Sequence, residues 1–378
     1  MAANRLKELH EMGQSIWLDS IDRTMLHNGD LERRIRDDSL TGMTSNPTIF
    51  QKALAGGDAY DEQLTSAENG LDPSQLFELV ETQDVRDACD RFAGVFAASR
   101  GGDGFVSIEV SPGVSNSADA TVEEARRLWK AVDRPNVMVK VPGSEEGAIA
   151  VRRLISEGVN VNITLLFAIE AHARVIEAYL AGLEDRVKAG QPIDGITSVA
   201  SFFVSRVDTE IDKRLDALAA SAIGGEKERL EMLKGRAAIA NAKLAYKLFS
   251  ERFSGPRWEK LKAAGARVQR PLWASTSTKN PKYRDVMYVE ELIGPDTVNT
   301  MPPATIDAFR DHGEVRRTVN ARVGAAEGLL KELEGVGISM REVTDKLLVE
   351  GIASFQKSFD ELLAGIQAKV GSLAPGKK

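Results

Sequence analysis

The chain has 378 residues, 43% of them hydrophobic, and carries a net charge of −7 with an isoelectric point near 5.4. This acidic balance argues against a nucleic-acid-binding surface, which needs a basic stripe. One cysteine excludes an intrachain disulfide, and four dispersed histidines lack metal-ligand spacing, so we expect neither a metal nor any other cofactor. The sequence contains no apolar run long enough to predict a membrane span or a signal peptide, so we expect a cytoplasmic protein.

Short apolar segments alternate with longer helical patterns along the chain. The predicted strands lie at 15–19, 42–45, 105–110, 137–141, 161–165, 196–200, 271–274 and 297–300. Helices are predicted between them, as at 120–131, 147–156, 169–189 and 258–265. This alternation indicates a parallel sheet, and eight such units close into a (β/α)8 TIM barrel with additional helices, an α/β fold. An open doubly wound sheet is the alternative, but the first strand is followed by no glycine-rich turn and no P-loop motif occurs.

The whole chain is interpreted as a single domain with decorations. A helix is expected at about 3–12, ahead of the first strand. The segments 51–100 and 208–254 are too long for single crossover helices, so they are interpreted as helical insertions, the second as a pair of helices. The tail, at about 370–378, is expected to be mobile.

Three charged residues are predicted to meet at one end of this barrel. Chemistry in such barrels collects at the carboxyl ends of the strands. Lys140 ends the fourth strand, while Asp19 and Glu109 end the first and third. Burial favours the neutral amine that attacks a carbonyl, whereas the carboxylates favour the ammonium form and offer acid–base capacity. A solvated lysine and a carboxylate that caps a helix remain the structural alternatives.

Other polar residues follow the remaining strands. Asn46 opens a turn before a helix, and Asn162 and Thr164 share one face of the fifth strand. Polar groups on an inward strand face cost stability unless they are bonded, which favours a site, although bonds within the barrel would also serve. Arg206 and Lys279 follow strands six and seven, where such barrels often bind phosphate, although both residue types are usually solvated at a surface.

Six ordered motifs resemble one family. TSNPTIF, VSIEVSP, VMVKVP, VNITLLF, SFFVSR and WAST occur in the order and roughly the spacing of the transaldolases, and the resemblance to the longer bacterial subfamily covers essentially the whole chain. Transaldolases are cofactor-free Schiff-base barrels. The resemblance implies a transferase of the pentose phosphate pathway. It would move a dihydroxyacetone unit from sedoheptulose 7-phosphate or fructose 6-phosphate to glyceraldehyde 3-phosphate or erythrose 4-phosphate.

The same resemblance implies a role for individual residues. Lys140 would form the imine, Asp19 would take the proton of the C4 hydroxyl, and Glu109 with Thr164 would hold a proton-shuttling water. The residues implied to bind substrate are Asn46, Asn162 and Ser201 for the dihydroxyacetone hydroxyls, Phe203 as an apolar wall, and Arg206, Ser275 and Lys279 for the distal phosphate. Lys279 is placed there because this chain has STSTK where many relatives carry a second arginine.

Two other functions compete with transfer. A fructose-6-phosphate aldolase-like enzyme would release free dihydroxyacetone, and a noncatalytic barrel would only bind sugar phosphates. Sugar phosphates are the expected partners in each case, with no nucleic acid and no membrane. The oligomeric state is left open between monomer and homodimer.

Overall fold

Eight parallel strands form a closed barrel. The computed structural model describes residues 4–68 and 70–373 of the chain. The strands are β1 (Gln14–Asp19), β2 (Leu40–Thr44), β3 (Phe105–Glu109), β4 (Val137–Pro142), β5 (Val161–Leu166), β6 (Ser198–Phe203), β7 (Arg270–Ala274) and β8 (Thr297–Met301). Each strand pairs with the next, and β8 pairs with β1 to close the ring. The predicted (β/α)8 TIM barrel is therefore confirmed.

Helices surround the barrel and fill the long segments between strands. They are α1 (Arg5–Glu11), α2 (Arg23–His27), α3 (Asp30–Asp37), α4 (Pro47–Ala55), α5 (Asp61–Ser66), α6 (Pro73–Ala98), α7 (Ala118–Val132), α8 (Glu145–Glu157), α9 (Ile169–Lys188), α10 (Ser205–Ala219), α11 (Gly225–Leu233), α12 (Ala237–Arg252), α13 (Gly255–Ala263), α14 (Met287–Glu290), α15 (Pro303–His312), α16 (Val323–Gly335) and α17 (Met340–Leu373). None of the helices in the described part of the chain has an apolar stretch long enough to cross a bilayer. The final helix extends through Leu373, and residues 374–378 of the predicted mobile tail lie outside the described residues.

Local signals set the boundaries around the fourth strand. β4 is buried along its whole length, as expected for a barrel strand covered by helices. The next helix, α8, starts after Ser144, whose hydroxyl accepts the N–H of Gly147 at 3.0 Å. It ends at Gly158, which has a φ of 93°, a conformation that glycine adopts without steric cost. These boundaries place Lys140 near the carboxyl end of β4.

Two segments differ from their predictions. The sixth strand is 198–203 instead of 196–200, because Phe202 and Phe203 pair with Trp273 and Ala274 of β7. The insertion at 208–254 holds most of α10 and all of α11 and α12, three helices instead of the two predicted. The additional break follows Lys234, where Gly235 has a φ of 68°.

A buried polar cluster fills the amino-terminal end of the barrel. Asp103 accepts hydrogen bonds from the Trp17 indole at 2.9 Å and from the Ser15 hydroxyl. Arg270 donates to the Ser15 hydroxyl at 2.7 Å and lies 3.5 Å from the Asp103 carboxylate. The Trp17 ring lies directly over Gly42, where an added Cβ would come within 2.5 Å of the indole. With this end filled, a ligand reaches the barrel from the carboxyl end.

The long helix α17 crosses the carboxyl end of the barrel. It packs against α4, α5, α6, α10 and β5. Its Ser358 hydroxyl accepts from Thr48 at 2.8 Å, and its Lys346 ammonium lies 2.7 Å from the Glu210 carboxylate of α10. The helix is thus attached on both sides of the barrel opening.

Candidate active site

Lys140 is held inside the barrel by two hydrogen bonds. Only 5% of the surface of Lys140 is exposed. Its Nζ donates to Glu109 Oε2 at 2.9 Å and to the backbone carbonyl of Ser45 at 2.9 Å. Glu109 is the register partner of Lys140 on the adjacent strand, so barrel pairing itself brings the two side chains together. A buried amine with a carboxylate beside it has a defined position and a nearby proton acceptor.

Glu109 is as buried as the lysine it contacts, with 7% of its surface exposed. Burial raises the pKa of the Glu109 carboxyl, and the positive charge of Lys140 opposes this shift. A carboxylate with a raised pKa is a stronger base than a solvated one. Glu109 is therefore equipped to exchange a proton with the Lys140 amine.

Asp19 faces the same cavity from the end of β1. Its Oδ1 accepts a hydrogen bond from the Thr44 hydroxyl at 2.9 Å, and that hydroxyl also lies 2.7 Å from the hydroxyl of Thr300. Burial raises the pKa of the Asp19 carboxyl, while the charge of Lys140 and the Thr44 hydrogen bond lower it. The two acids thus lie at different places around one amine and have different partners.

The amide of Asn162 is fully buried behind the lining of the cavity. Its Nδ2 donates to the Ser107 hydroxyl at 2.9 Å, and its Oδ1 accepts from the Ser201 hydroxyl at 2.6 Å. Asn46 lines the cavity from the start of α4, where its Oδ1 accepts the N–H of Ile49 at 3.0 Å. Among the described residues the Asn46 NH2 group has no partner, so it can donate to a ligand.

A bulge near the end of β5 sets the position of Thr164. The pairing of β5 with β6 shifts register between Ile163 and Leu166, and Leu165 adopts a left-handed φ of 59°. Bulges beside active sites commonly redirect a side chain, and a non-glycine residue in this region stores about 1–3 kcal/mol of strain. The Thr164 hydroxyl is buried, lines the cavity and has no hydrogen-bond partner among the described residues.

Arg206 follows β6 and faces the cavity, and no acidic residue in the described part of the chain pairs with it. Its guanidinium lies 5.4 Å from the centre of the Phe203 ring, and no hydrogen bond or ion pair joins it to another described residue. Burial lowers the pKa of the Arg206 guanidinium, and the negative charge of Asp19 opposes the shift. A half-buried guanidinium with free donors is suited to bind an anion.

Two further donors lie after β7, beside Arg206. Ser275 has a left-handed φ of 55°, and its hydroxyl lies 2.9 Å from that of Ser205. Lys279 is exposed, and its Nζ donates to the Ser277 hydroxyl at 2.9 Å. Hydroxyl and ammonium donors beside a free guanidinium form a cationic end of the cavity.

A cavity of about 340 Å³ connects these residues. The predicted site residues that line it are Asp19, Asn46, Lys140, Thr164, Ser201, Phe203, Arg206, Ser275 and Lys279. Glu109 and Asn162 lie behind this lining, and each contacts one of its members directly. The fold therefore brings the eleven predicted residues together.

Several lining residues were not predicted. Lys52 of α4 and Phe355 of α17 both face the cavity. Lys52 lies six positions after Asn46, close enough in sequence to suggest a shared location, although an exposed lysine gives no signal by itself. Phe355 lies far beyond the last strand, and only the path of α17 across the barrel brings it to the site.

The chain is similar to known transaldolases along nearly its whole length. The model of the transaldolase/fructose-6-phosphate aldolase family matches residues 16–366. Transaldolase 2 of Nostoc sp. is 45% identical over 380 residues, covering 99% of this chain and all of the relative. A transaldolase of Parafrankia sp. is 47% identical over 371 residues (98% and 99% of the two chains), and one of Thermobifida fusca is 48% identical over 360 residues (95% and 96%). The chain belongs to the transaldolase/fructose-6-phosphate aldolase family.

Proposed function

We propose that the chain is a transaldolase, a transferase that moves a dihydroxyacetone unit between sugar phosphates through a Schiff base on Lys140. Relatives with that name match it over nearly their whole length at 45–48% identity. The observation that carries the mechanism is the buried Lys140 amine, 2.9 Å from the Glu109 carboxylate at the mouth of the barrel. The donor is sedoheptulose 7-phosphate or fructose 6-phosphate, and the acceptor is glyceraldehyde 3-phosphate or erythrose 4-phosphate.

The first half-reaction forms the Schiff base. Glu109 takes a proton from the Lys140 ammonium, and the free amine attacks the C2 carbonyl of the ketose. The carbinolamine then loses its hydroxyl as water, with a proton returned through Glu109, which leaves a protonated imine. The Thr164 hydroxyl has no hydrogen-bond partner among residues 4–68 and 70–373, which supports a role in holding the water that carries this proton.

Asp19 acts in the bond cleavage. It removes the proton of the C4 hydroxyl, the C3–C4 bond breaks, and its electron pair moves into the imine to give an enamine on Lys140. The shortened aldose leaves while the three-carbon unit stays covalently attached. An acceptor aldehyde then reverses these steps and takes back the proton from Asp19.

The remaining predicted residues position the substrate. The NH2 group of Asn46 donates to a hydroxyl of the dihydroxyacetone unit. The hydrogen-bonded pair Asn162 and Ser201 provides the polar surface on which this unit lies. Phe203 provides an apolar wall beside the Arg206 guanidinium.

The distal phosphate of the sugar binds at the cationic end of the cavity. Arg206 is its principal contact, because its donors have no partner in the described protein. Ser275 and Lys279 complete the site from the segment after β7.

The competing function within the family is aldol cleavage that releases free dihydroxyacetone. Product analysis with fructose 6-phosphate as the only substrate separates the two activities. A transferase retains the three-carbon unit until an acceptor is added, so little dihydroxyacetone should form. Its rapid release without an acceptor would instead assign the aldolase function.

Reductive trapping tests the nucleophile. Borohydride treatment in the presence of fructose 6-phosphate should leave a dihydroxyacetone-sized adduct on Lys140, located by peptide mass mapping. The Lys140→Ala variant should give no adduct. An adduct on Lys243, a second buried lysine, or on Lys279 would show that the site is wrongly assigned.

We further propose that the chain forms one domain and works in the cytoplasm, in the pentose phosphate pathway. Size-exclusion chromatography with light scattering would decide between a monomer and a homodimer.

A further inference from the structure

A second cavity, of about 310 Å³, lies among α12, α14 and α16, outside the barrel. Its apolar walls include Ile239, Met287 and Leu329, and none of the residues that line it lines the active-site cavity. Its volume is near the lower end of the range for small-molecule sites, about 300–1,000 Å³. The cavity is therefore large enough for a small organic ligand.

The charges around this cavity are mostly positive. Among the described residues that line it, the cations are Arg236, Lys243 and Arg322, and the one acid is Glu291. Three cations against one anion leave a local charge of +2 in a chain whose net charge is −7. Such a local excess of cations attracts anions and is not explained by the overall composition.

Lys243 is a buried hydrogen-bond donor in the wall of the cavity. The residue is 6% exposed, and its Nζ lies 2.9 Å from Glu291 Oε2. An ammonium group carries three N–H donors, and Glu291 is the only acceptor found for it in the described part of the chain. The buried group thus retains hydrogen-bonding capacity that a ligand can satisfy.

Arg322 adds another cation where α16 begins. It adopts a left-handed φ of 58° and occupies the N-cap position of this 13-residue helix, whose first turn is capped by no side chain of the described residues. Its guanidinium makes no hydrogen bond or ion pair with any other described residue. The amino-terminal end of a helix carries partial positive charge, which adds to that of the side chains.

We propose that this cavity binds a small organic phosphate monoester whose body packs on Ile239, Met287 and Leu329. Its phosphate contacts Lys243 and Arg322, with Arg236 at the rim. A phosphate monoester carries about −1.5 to −2 charge at pH 7, which matches the +2 of the cavity. Guanidinium groups also fit the geometry of phosphate oxygens. The apolar walls explain why an organic ester should bind better than inorganic phosphate.

Phenyl phosphate is a suitable probe, because it joins a phosphate to a compact apolar ring. Its binding to the full-length chain would be measured by titration calorimetry, with benzyl alcohol as the neutral analogue and inorganic phosphate as the anion without an apolar body. The key variant is Arg322→Asn, which removes the charge and keeps a residue that tolerates the left-handed conformation. The matched control is Arg206→Ala, which removes the principal anion contact of the active site.

We expect phenyl phosphate to bind this cavity in Arg206→Ala with the same affinity as in the unmodified chain. Its affinity for Arg322→Asn should be at least about tenfold lower, as expected for the loss of a charged hydrogen bond. Transaldolase activity should persist in Arg322→Asn, which shows that the variant is folded. Binding lost in Arg206→Ala and unchanged in Arg322→Asn would place the anion in the active site alone. That result, or equal binding of benzyl alcohol, or no saturable binding in the millimolar range, would overturn the proposal.

Discussion

The buried carboxyl of Asp208 makes the stability of the chain sensitive to pH. This residue, in the first turn of α10, is 1% exposed, and burial raises its pKa to about 7. Its Oδ1 accepts the N–H of Ala238 at 2.8 Å, and its Oδ2 accepts the hydroxyl of Tyr288 at 2.9 Å. The pKa of an aspartate in the unfolded chain is about 3.9.

The sign and size of the effect follow from these two values. A carboxyl whose pKa is raised by folding contributes stability that is complete below pH 3.9 and is lost as the pH rises through 7. Between pH 5 and pH 8 the loss amounts to about 2–3 kcal/mol at 1.36 kcal/mol per pKa unit. The Asp208→Asn variant has no charge to bury, and its amide can still accept the N–H of Ala238. Relative to the unmodified chain, it should therefore gain stability over this interval.

Urea unfolding of both proteins at several pH values tests this expectation. The difference between their free energies of unfolding cancels every other titrating group that they share. We expect the advantage of the variant to grow by about 2–3 kcal/mol from pH 5 to pH 8. A difference that stays constant over this interval would refute the assignment of a raised pKa to Asp208.

Three further predictions concern the active site and the helix that covers it. Gly351→Ala in α17 should be about 1–3 kcal/mol less stable than Gly365→Ala in the same helix, because its new Cβ would come within 2.9 Å of Leu165 Cδ2 in the buried interior. It should also reduce kcat, because Leu165 directly follows Thr164 of the active-site cavity. In the control Gly365→Ala, the new Cβ has no atom within 4 Å, and this variant should be about 1 kcal/mol more stable than the unmodified chain. Equal effects of the two substitutions on the free energy of unfolding would contradict this reasoning. Arg206→Ala should raise KM for phosphorylated sugars by about 10- to 100-fold and much less for unphosphorylated analogues, whereas equal changes would remove its phosphate role. Glu109→Gln should lower kcat by about 10²- to 10⁴-fold and slow borohydride trapping, while unaltered trapping kinetics would exclude it from imine formation.

The barrel could be predicted from sequence because its signals are local and repeated. Each strand is short and apolar, and a helical pattern follows it, as β4 and α8 illustrate. The meeting of Glu109 and Lys140 also follows from sequence, because neighbouring strand ends in a parallel barrel meet at one edge. The sixth strand was placed too early because its last residues, Phe202 and Phe203, are fixed by pairing with β7, which sequence alone does not reveal.

The details of the site depend on contacts between distant segments. Asn162 has the residue type expected of a ligand contact, yet its amide is already bonded to Ser107 and Ser201, which belong to two other strands. The left-handed conformation of Leu165 has no sequence signal, because leucine rarely adopts it. Phe355 reaches the cavity through the packing of α17, so no motif near the strand ends could have indicated it.

The attachment of α17 has a consequence for biosynthesis. The hydrogen bond between Thr48 and Ser358 joins residues 310 positions apart, so it cannot form until residue 358 has been translated. Contacts this distant in sequence form late and slowly. A nascent chain can pair its strands as they emerge, whereas Phe355 is translated only after all eight strands. Maturation of the catalytic pocket should therefore lag behind the pairing of the barrel strands.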